Sequence, residues 1–299
     1  MGVLENMITY ALSASAFGSY VTPLADAALR QTKIRNYELN YSSSAADTEQ
    51  SIESAKRVRQ LVAEGVIRAA SFHLPFCGGK GWDPSSLDEE KRKDVSSRMQ
   101  EIFRSIAWMK TPNITLHASN EPPLEEHPQR IGQVCRTIEE FLPLAEEFGF
   151  SINVEFLPRR CVGNCVEELQ KIVSNFDPKH VGICFDVNHI MNRHRELPQM
   201  IDTLAPRIRT FHISDYDGVD ELHWIPGQGL IDWPEVLRHI KAIDHDVTLI
   251  LETHHMLRSE HREVDPIFSL RQNEAACWYL ENSERIRAEI GAFRIPGNN

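Results

Sequence analysis

Residues able to move protons or hold a cation recur near the ends of apolar runs in this chain. The stretch GICFDVNH, residues 182–189, runs through Ile183, Cys184 and Phe185 and then delivers Asp186 and His189, three positions apart, before any turn signal. His73 lies late in RAASFHLP, His117 in NITLHAS, Glu155 in SINVEFLP, His212 in IRTFHISDY and Glu252 in VTLILETHH. A charge buried in such a run is costly unless it is paired or bound to a metal. Brought together, Glu155, Asp186, His212 and Glu252 would suit a divalent cation. Carboxylate oxygens and an imidazole accept Mn, Mg, Co or Zn, and a set this rich in oxygen favours Mn or Mg. Two separated carboxylates would also supply an acid and a base.

Such residues can meet only if the elements that carry them converge. Eight short β-rich runs occur, at 8–15, 37–41, 68–75, 113–119, 151–158, 181–189, 208–216 and 247–255. Segments with helical periodicity lie between or after them, at 47–65, 86–110, 128–149, 161–176, 197–206, 232–243 and 266–290. In the first of these, Ile52, Ala55, Val58, Leu61 and Val62 mark one face and Gly65 ends it. Asp232, ahead of Trp233 and Pro234, reads as an N-cap. Strand–helix alternation implies parallel strands with crossover helices. Eight units in a chain of this length predict a (β/α)8 barrel, whose C-terminal strand ends share one face and carry the site. A doubly wound sheet is the alternative, but no G-x-G-x-x-G follows the first strand. A single domain over 1–299 is expected, with its core at about 8–290 and a loose IPGNN tail.

The 299 residues carry a formal net charge of −11, which repels phosphate backbones at long range and weighs against a nucleic-acid partner. No run of 18 apolar residues predicts a membrane span. The N-terminus lacks the basic region of a signal peptide, and Asn6 does not meet the myristoylation pattern. The six cysteines are scattered, and Cys161 and Cys165 form a lone C-x3-C, so free thiols in a reducing cytoplasm are expected. A homo-oligomer is compatible with everything above.

In order and spacing, the motifs SFHLPF, LHAS, NVEFLP, CFDVNH, FHISDYDG, HWIPGQG and ILETHH resemble those of the xylose isomerase-like TIM barrels. The nearer likeness is to the sugar phosphate isomerase/epimerase group, and it spans about 8–290. The resemblance implies one divalent ion on Glu155, Asp186, His212 and Glu252, with no organic cofactor. It implies substrate contacts for His189, a pocket-lining role for His73, and a loop position near the site for His223, ahead of PGQG. His117 is expected to serve substrate hydroxyls as well. Glu38, in YELN, either reaches the pocket or serves packing or a helix cap.

The implied activity is isomerisation or epimerisation of a sugar or polyol-derived ketone. Glu155 and Glu252 would be the catalytic pair, working through proton abstraction next to a carbonyl and an enediolate. Loss of a β-hydroxyl from the same intermediate would make the protein an inosose dehydratase-like lyase. A phosphodiesterase of the endonuclease IV type is the rival. That type uses three metals, and its extra ligands match His73, His117, His189 and His223, with Glu221 where those enzymes use Asp.

Overall fold

The computed structural model describes residues 7–17, 20–40, 48–76, 81–253 and 265–292. The strands are β1 (Ile8–Ser13), β2 (Asn36–Asn40), β3 (Arg68–His73), β4 (Asn113–Leu116), β5 (Ser151–Glu155), β6 (Val181–Asp186), β7 (Ile208–Ile213) and β8 (Val247–Leu251). They pair in parallel in chain order, and β1 closes on β8. Each strand leads into one helix: α1 (Pro23–Gln31), α2 (Glu49–Ala63), α3 (Glu89–Ile106), α4 (His127–Phe148), α5 (Val166–Val173), α6 (Leu197–Leu204), α7 (Trp233–Lys241) and α8 (Pro266–Ala292). This is the expected (β/α)8 barrel. The strands end earlier than the apolar runs suggested, because each run continues into the loop that carries the site. The IPGNN tail, Cys77 and the two histidines that end the β8 motif lie outside the described residues.

Two helices depart from the expected pattern. α1 follows β1 where no helix was anticipated. It is short, and its start is set by Thr22, whose hydroxyl accepts from Ala25 N at 3.2 Å, and by Pro23 in the first turn. The helix expected over 161–176 begins only at Val166. Gly163, at φ +91°, turns the chain ahead of it, and Gly163 N donates to Glu168 Oε2 at 2.8 Å. Elsewhere the expected punctuation stands. Gly149 ends α4 in the left-handed region at φ +73°, and Asp232 Oδ1 accepts from Glu235 N at 3.2 Å at the start of α7.

Outward side chains such as Leu39, Phe72, Ile114, Ile183 and Phe211 are buried beneath the helices. The barrel interior is more polar. Glu38 is 1% exposed, and its Oε1 accepts from Ser71 Oγ and Thr115 Oγ1, both at 2.8 Å. A register shift between Tyr37 and Glu38 brings Glu38 opposite Ser71. Among the described residues no helix is long and apolar enough to cross a membrane.

Candidate metal centre

At the C-terminal ends of β5 to β8 four side chains converge. His212 Nδ1 lies 3.0 Å from Glu155 Oε1, 3.0 Å from Glu252 Oε2 and 3.6 Å from Asp186 Oδ2. The order of the strands makes this meeting possible, since β6 and β7 place Asp186 directly beside His212. Asp186 Oδ1 accepts from the backbone N–H of Asn188 at 2.6 Å and of His189 at 3.2 Å, so its other oxygen is turned into the group. That Oδ2 is buried and makes no hydrogen bond.

One imidazole N–H cannot satisfy three carboxylates. Buried charges of one sign are tolerated when a metal neutralises them, and these three oxygens and one nitrogen fit a divalent cation. The ligand atoms lie within 4.8 Å of one another. The far side of His212 supports the same use. Its Nε2 stands 3.0 Å from Glu38 Oε2, in ion-pair contact though outside hydrogen-bond geometry. A carboxylate behind a ligating imidazole fixes its tautomer and raises its basicity. Glu38 therefore reaches the site, and it does so from behind His212.

Three of the remaining site histidines are held in a shared way. Nδ1 of His73 bonds to Leu74 O at 2.8 Å, that of His189 to Phe156 O at 2.9 Å and that of His223 to Glu252 O at 3.1 Å. Each thus directs Nε2 inward. His73 Nε2 lies 3.2 Å and His117 Nε2 2.8 Å from Glu155 Oε2. His189 Nε2 lies 2.9 Å from Glu221 Oε2, and His223 Nε2 lies 4.0 Å from the same oxygen. Donor atoms therefore also gather as His73–Glu155–His212 and as His189–Glu221–His223. Every candidate residue named from the sequence faces this region.

The electrostatics follow from this crowding. Burial alone would raise the Glu155 carboxyl, but the charges of His117 and His212 and their hydrogen bonds hold it well below the usual carboxylate range. Glu252 is lowered in the same way by His212, again against burial. Burial disfavours a charged His73, yet its bond to Glu155 outweighs that and raises it to about 9. His189 is raised to about 10 against burial by Asp186 and Glu221. His117 moves down, because there burial outweighs Glu155. Protons on His212 and its neighbours are what a bound cation would displace.

The group opens into a cavity of about 760 Å³, whose walls include Phe76, Pro158, Arg159 and Glu221. Phe76 is 45% exposed and stacks on His117 with ring centroids 4.0 Å apart. Asp215 was not singled out from the sequence. It is fully buried, with Oδ1 accepting from Tyr216 N at 3.0 Å and Ile231 N at 3.2 Å, and Oδ2 from Gly227 N at 2.8 Å and Trp233 Nε1 at 2.9 Å. It thereby organises the β7–α7 loop that presents Glu221 and His223. Its signal was its position in FHISDYDG, three residues after His212.

The chain is 26% identical over 186 residues to an uncharacterised protein of Methanocaldococcus jannaschii, an alignment covering 60% of this chain and 62% of that protein. The match thus spans about three-fifths of that relative's length. A second uncharacterised relative, from Sinorhizobium fredii, is 22% identical over 215 residues, covering 65% of this chain and 69% of the other. Among solved structures, a D-tagatose 3-epimerase-like protein superposes with a TM-score of 0.72 at 21% identity, covering 92% of this chain and 99% of the other. An L-ribulose 3-epimerase gives 0.72 at 15% identity over 97% and 100% of the two chains. The IOLI protein, with a bound zinc atom, gives 0.69 at 14% identity over 92% and 99%. The model for the xylose isomerase-like TIM barrel matches residues 28–280, and the chain belongs to that family.

Proposed function

We propose that the protein is a divalent-metal-dependent sugar isomerase or epimerase acting on a small sugar or polyol-derived ketone. The observation that carries this reading is the pair Glu155 and Glu252, each 3.0 Å from the same His212 nitrogen, at the floor of a cavity of sugar size. Glu155, Asp186, His212 and Glu252 would hold one ion. When bound, that ion supplies Lewis-acid polarisation of the substrate carbonyl. Glu252 is the more open carboxylate, at 19% side-chain exposure against 1% for Glu155. It suits removal of the proton next to the carbonyl, which leaves an enediolate. Glu155 is backed by His73 and His117 on its second oxygen, a source from which a proton can return to the opposite face. His189 and His223 present Nε2 to substrate oxygens. The epimerases among the superposable structures support this chemistry by their names.

The test is incubation of Mn2+-loaded protein with a panel of ketoses in deuterated water, followed by NMR. Deuterium at the carbon next to the carbonyl, with an epimer or aldose product, is expected. Turnover of a ketose with neither solvent-derived nor internally transferred hydrogen at that carbon would sink the enediolate reading. An unsaturated product would identify a lyase on the same intermediate.

A specific observation also favours a phosphodiesterase reading: the two additional donor groups, His73–Glu155–His212 and His189–Glu221–His223. Three ions per chain by elemental analysis would promote it. One ion per chain is the expected result.

A further inference from the structure

Glu221 stands between two demands. Its Oε2 faces His189 and His223, while its Oε1 lies 2.6 Å from Arg159 Nη1. Nη2 of the same guanidinium binds Asp220 Oδ1 at 2.8 Å. Arg159 sits in the loop after β5 with φ +51°, a left-handed conformation that residues other than Gly, Asn and Asp seldom adopt. The turn is held by Asn164 Nδ2, which donates to Arg159 O at 2.6 Å. Backbone strain of this kind persists where its surroundings fix it, and it gathers at functional sites. Here it accompanies a guanidinium that spans from one wall of the cavity to the other.

We propose that Arg159 keeps the His189–Glu221–His223 group from taking a second divalent ion and so leaves both imidazoles to substrate oxygens. The charge count of each group is the reason. Around His212 three carboxylates converge, and a cation relieves their mutual repulsion. Among the donors of the His189–Glu221–His223 group there is one carboxylate, since Glu155 Oε1 and Asp186 Oδ2, each 3.5 Å from His189, face its other ring nitrogen, and the positive charge of the Arg159 guanidinium already rests on Glu221. Asp220 and Glu121, the latter 3.9 Å from the guanidinium, offset that charge only in part, because their side chains are 54% and 40% exposed and screened by water. Affinity for a dication follows the number of charged ligands. A neutral donor behind Glu221 would orient it for an ion, whereas a guanidinium repels the ion and competes for the same electrons. Without Arg159, two histidines and one glutamate form an ordinary three-ligand zinc set.

The experiment is a zinc count per chain after equilibration with Zn2+ and desalting, with isothermal titration for affinity. On the single-ion reading above, wild type carries one ion and Arg159→Gln carries two, the second bound at least about ten-fold more tightly than any second ion in wild type, the lower end of what changes behind a metal ligand do. Arg159→Asn, a residue suited to left-handed backbone, should behave the same, while Arg159→Lys keeps the charge and stays at one. Adding Glu221→Gln to Arg159→Gln should return the count to one. Wild type with two or three ions, or Arg159→Gln with no gain, overturns the proposal. A wild type with no ion whose Arg159→Gln variant gains one upholds it and removes the single-ion reading instead.

Discussion

Glu155 and Glu252 share His212, but they are not equivalent acids. Glu155 Oε2 is held by two histidine nitrogens, at 3.2 and 2.8 Å, whereas Glu252 keeps more of its side chain open to the cavity. Replacing either by Gln keeps the shape and removes the base. Loss of a general acid/base step costs about 10²–10⁴-fold in rate, so both variants should fall by that order in kcat with a smaller change in KM. Steady-state kinetics on the ketose found by the exchange assay checks this, and a fully active Glu252→Gln would exclude its role as base. Asp186 does different work. Its Oδ1 is fixed by two backbone N–H groups, and only Oδ2 faces the group. Asp186→Asn should therefore lose metal affinity strongly, and unchanged metal content would refute its place as a ligand. Glu38→Gln touches no proposed ligand position except through His212 Nε2. A loss of about 10–100-fold in metal affinity is expected from removing such a partner, read by titration with Mn2+.

Most strands were readable as apolar runs closed by a polar residue, since parallel barrels bury their strands on both faces; β2, NYELN, is the polar exception. Less was readable where the signal is geometric. The buried face of α1 is made of Ala25, Ala28 and Leu29, too small a set of apolar side chains to stand out as a stripe, and its cap at Thr22 is a local bond. Glu38 could be placed on β2 from sequence, yet its contact with His212 depends on the register shift between Tyr37 and Glu38. Asp215 and Arg159 act through loops, whose partners no pattern announces. The β7–α7 loop shows how such a residue works. A Cβ on Gly229 would come within 2.2 Å of Tyr216 O, so no side chain fits there without moving the backbone. The same loop hangs on the four N–H groups bonded to Asp215. A buried donor left without its partner costs about 1–3 kcal/mol. Asp215→Ala should therefore destabilise the protein by at least about 3 kcal/mol, and denaturant unfolding that shows less than 1 kcal/mol, to order of magnitude, would contradict this account.

Across the whole molecule, the candidate metal group gathers the ends of four neighbouring strands, β5 to β8, with β2 behind His212. In a protein of net charge −11, Glu155, Asp186 and Glu252 concentrate negative charge at one buried point. A cation bound there couples to folding, because the unfolded chain has no such arrangement of ligands. The stabilisation grows as the logarithm of free metal over Kd, and amounts to about 2.7 kcal/mol at a hundred-fold excess. At about 2.1 cal/mol/K of unfolding entropy per residue, each kcal/mol moves the Tm of a 299-residue chain by roughly 1.6 °C, so removing the ion should lower Tm by roughly 4 °C. Scanning calorimetry of the protein in EDTA, and then with Mn2+ restored in steps, measures this directly. The increment should climb with the logarithm of free Mn2+, and Asp186→Asn should show little of it over the same range. A Tm indifferent to chelator and metal would mean that the three carboxylates are neutralised by protons on His212, His73 and His189 alone, and the metal-dependent mechanism would fall with it.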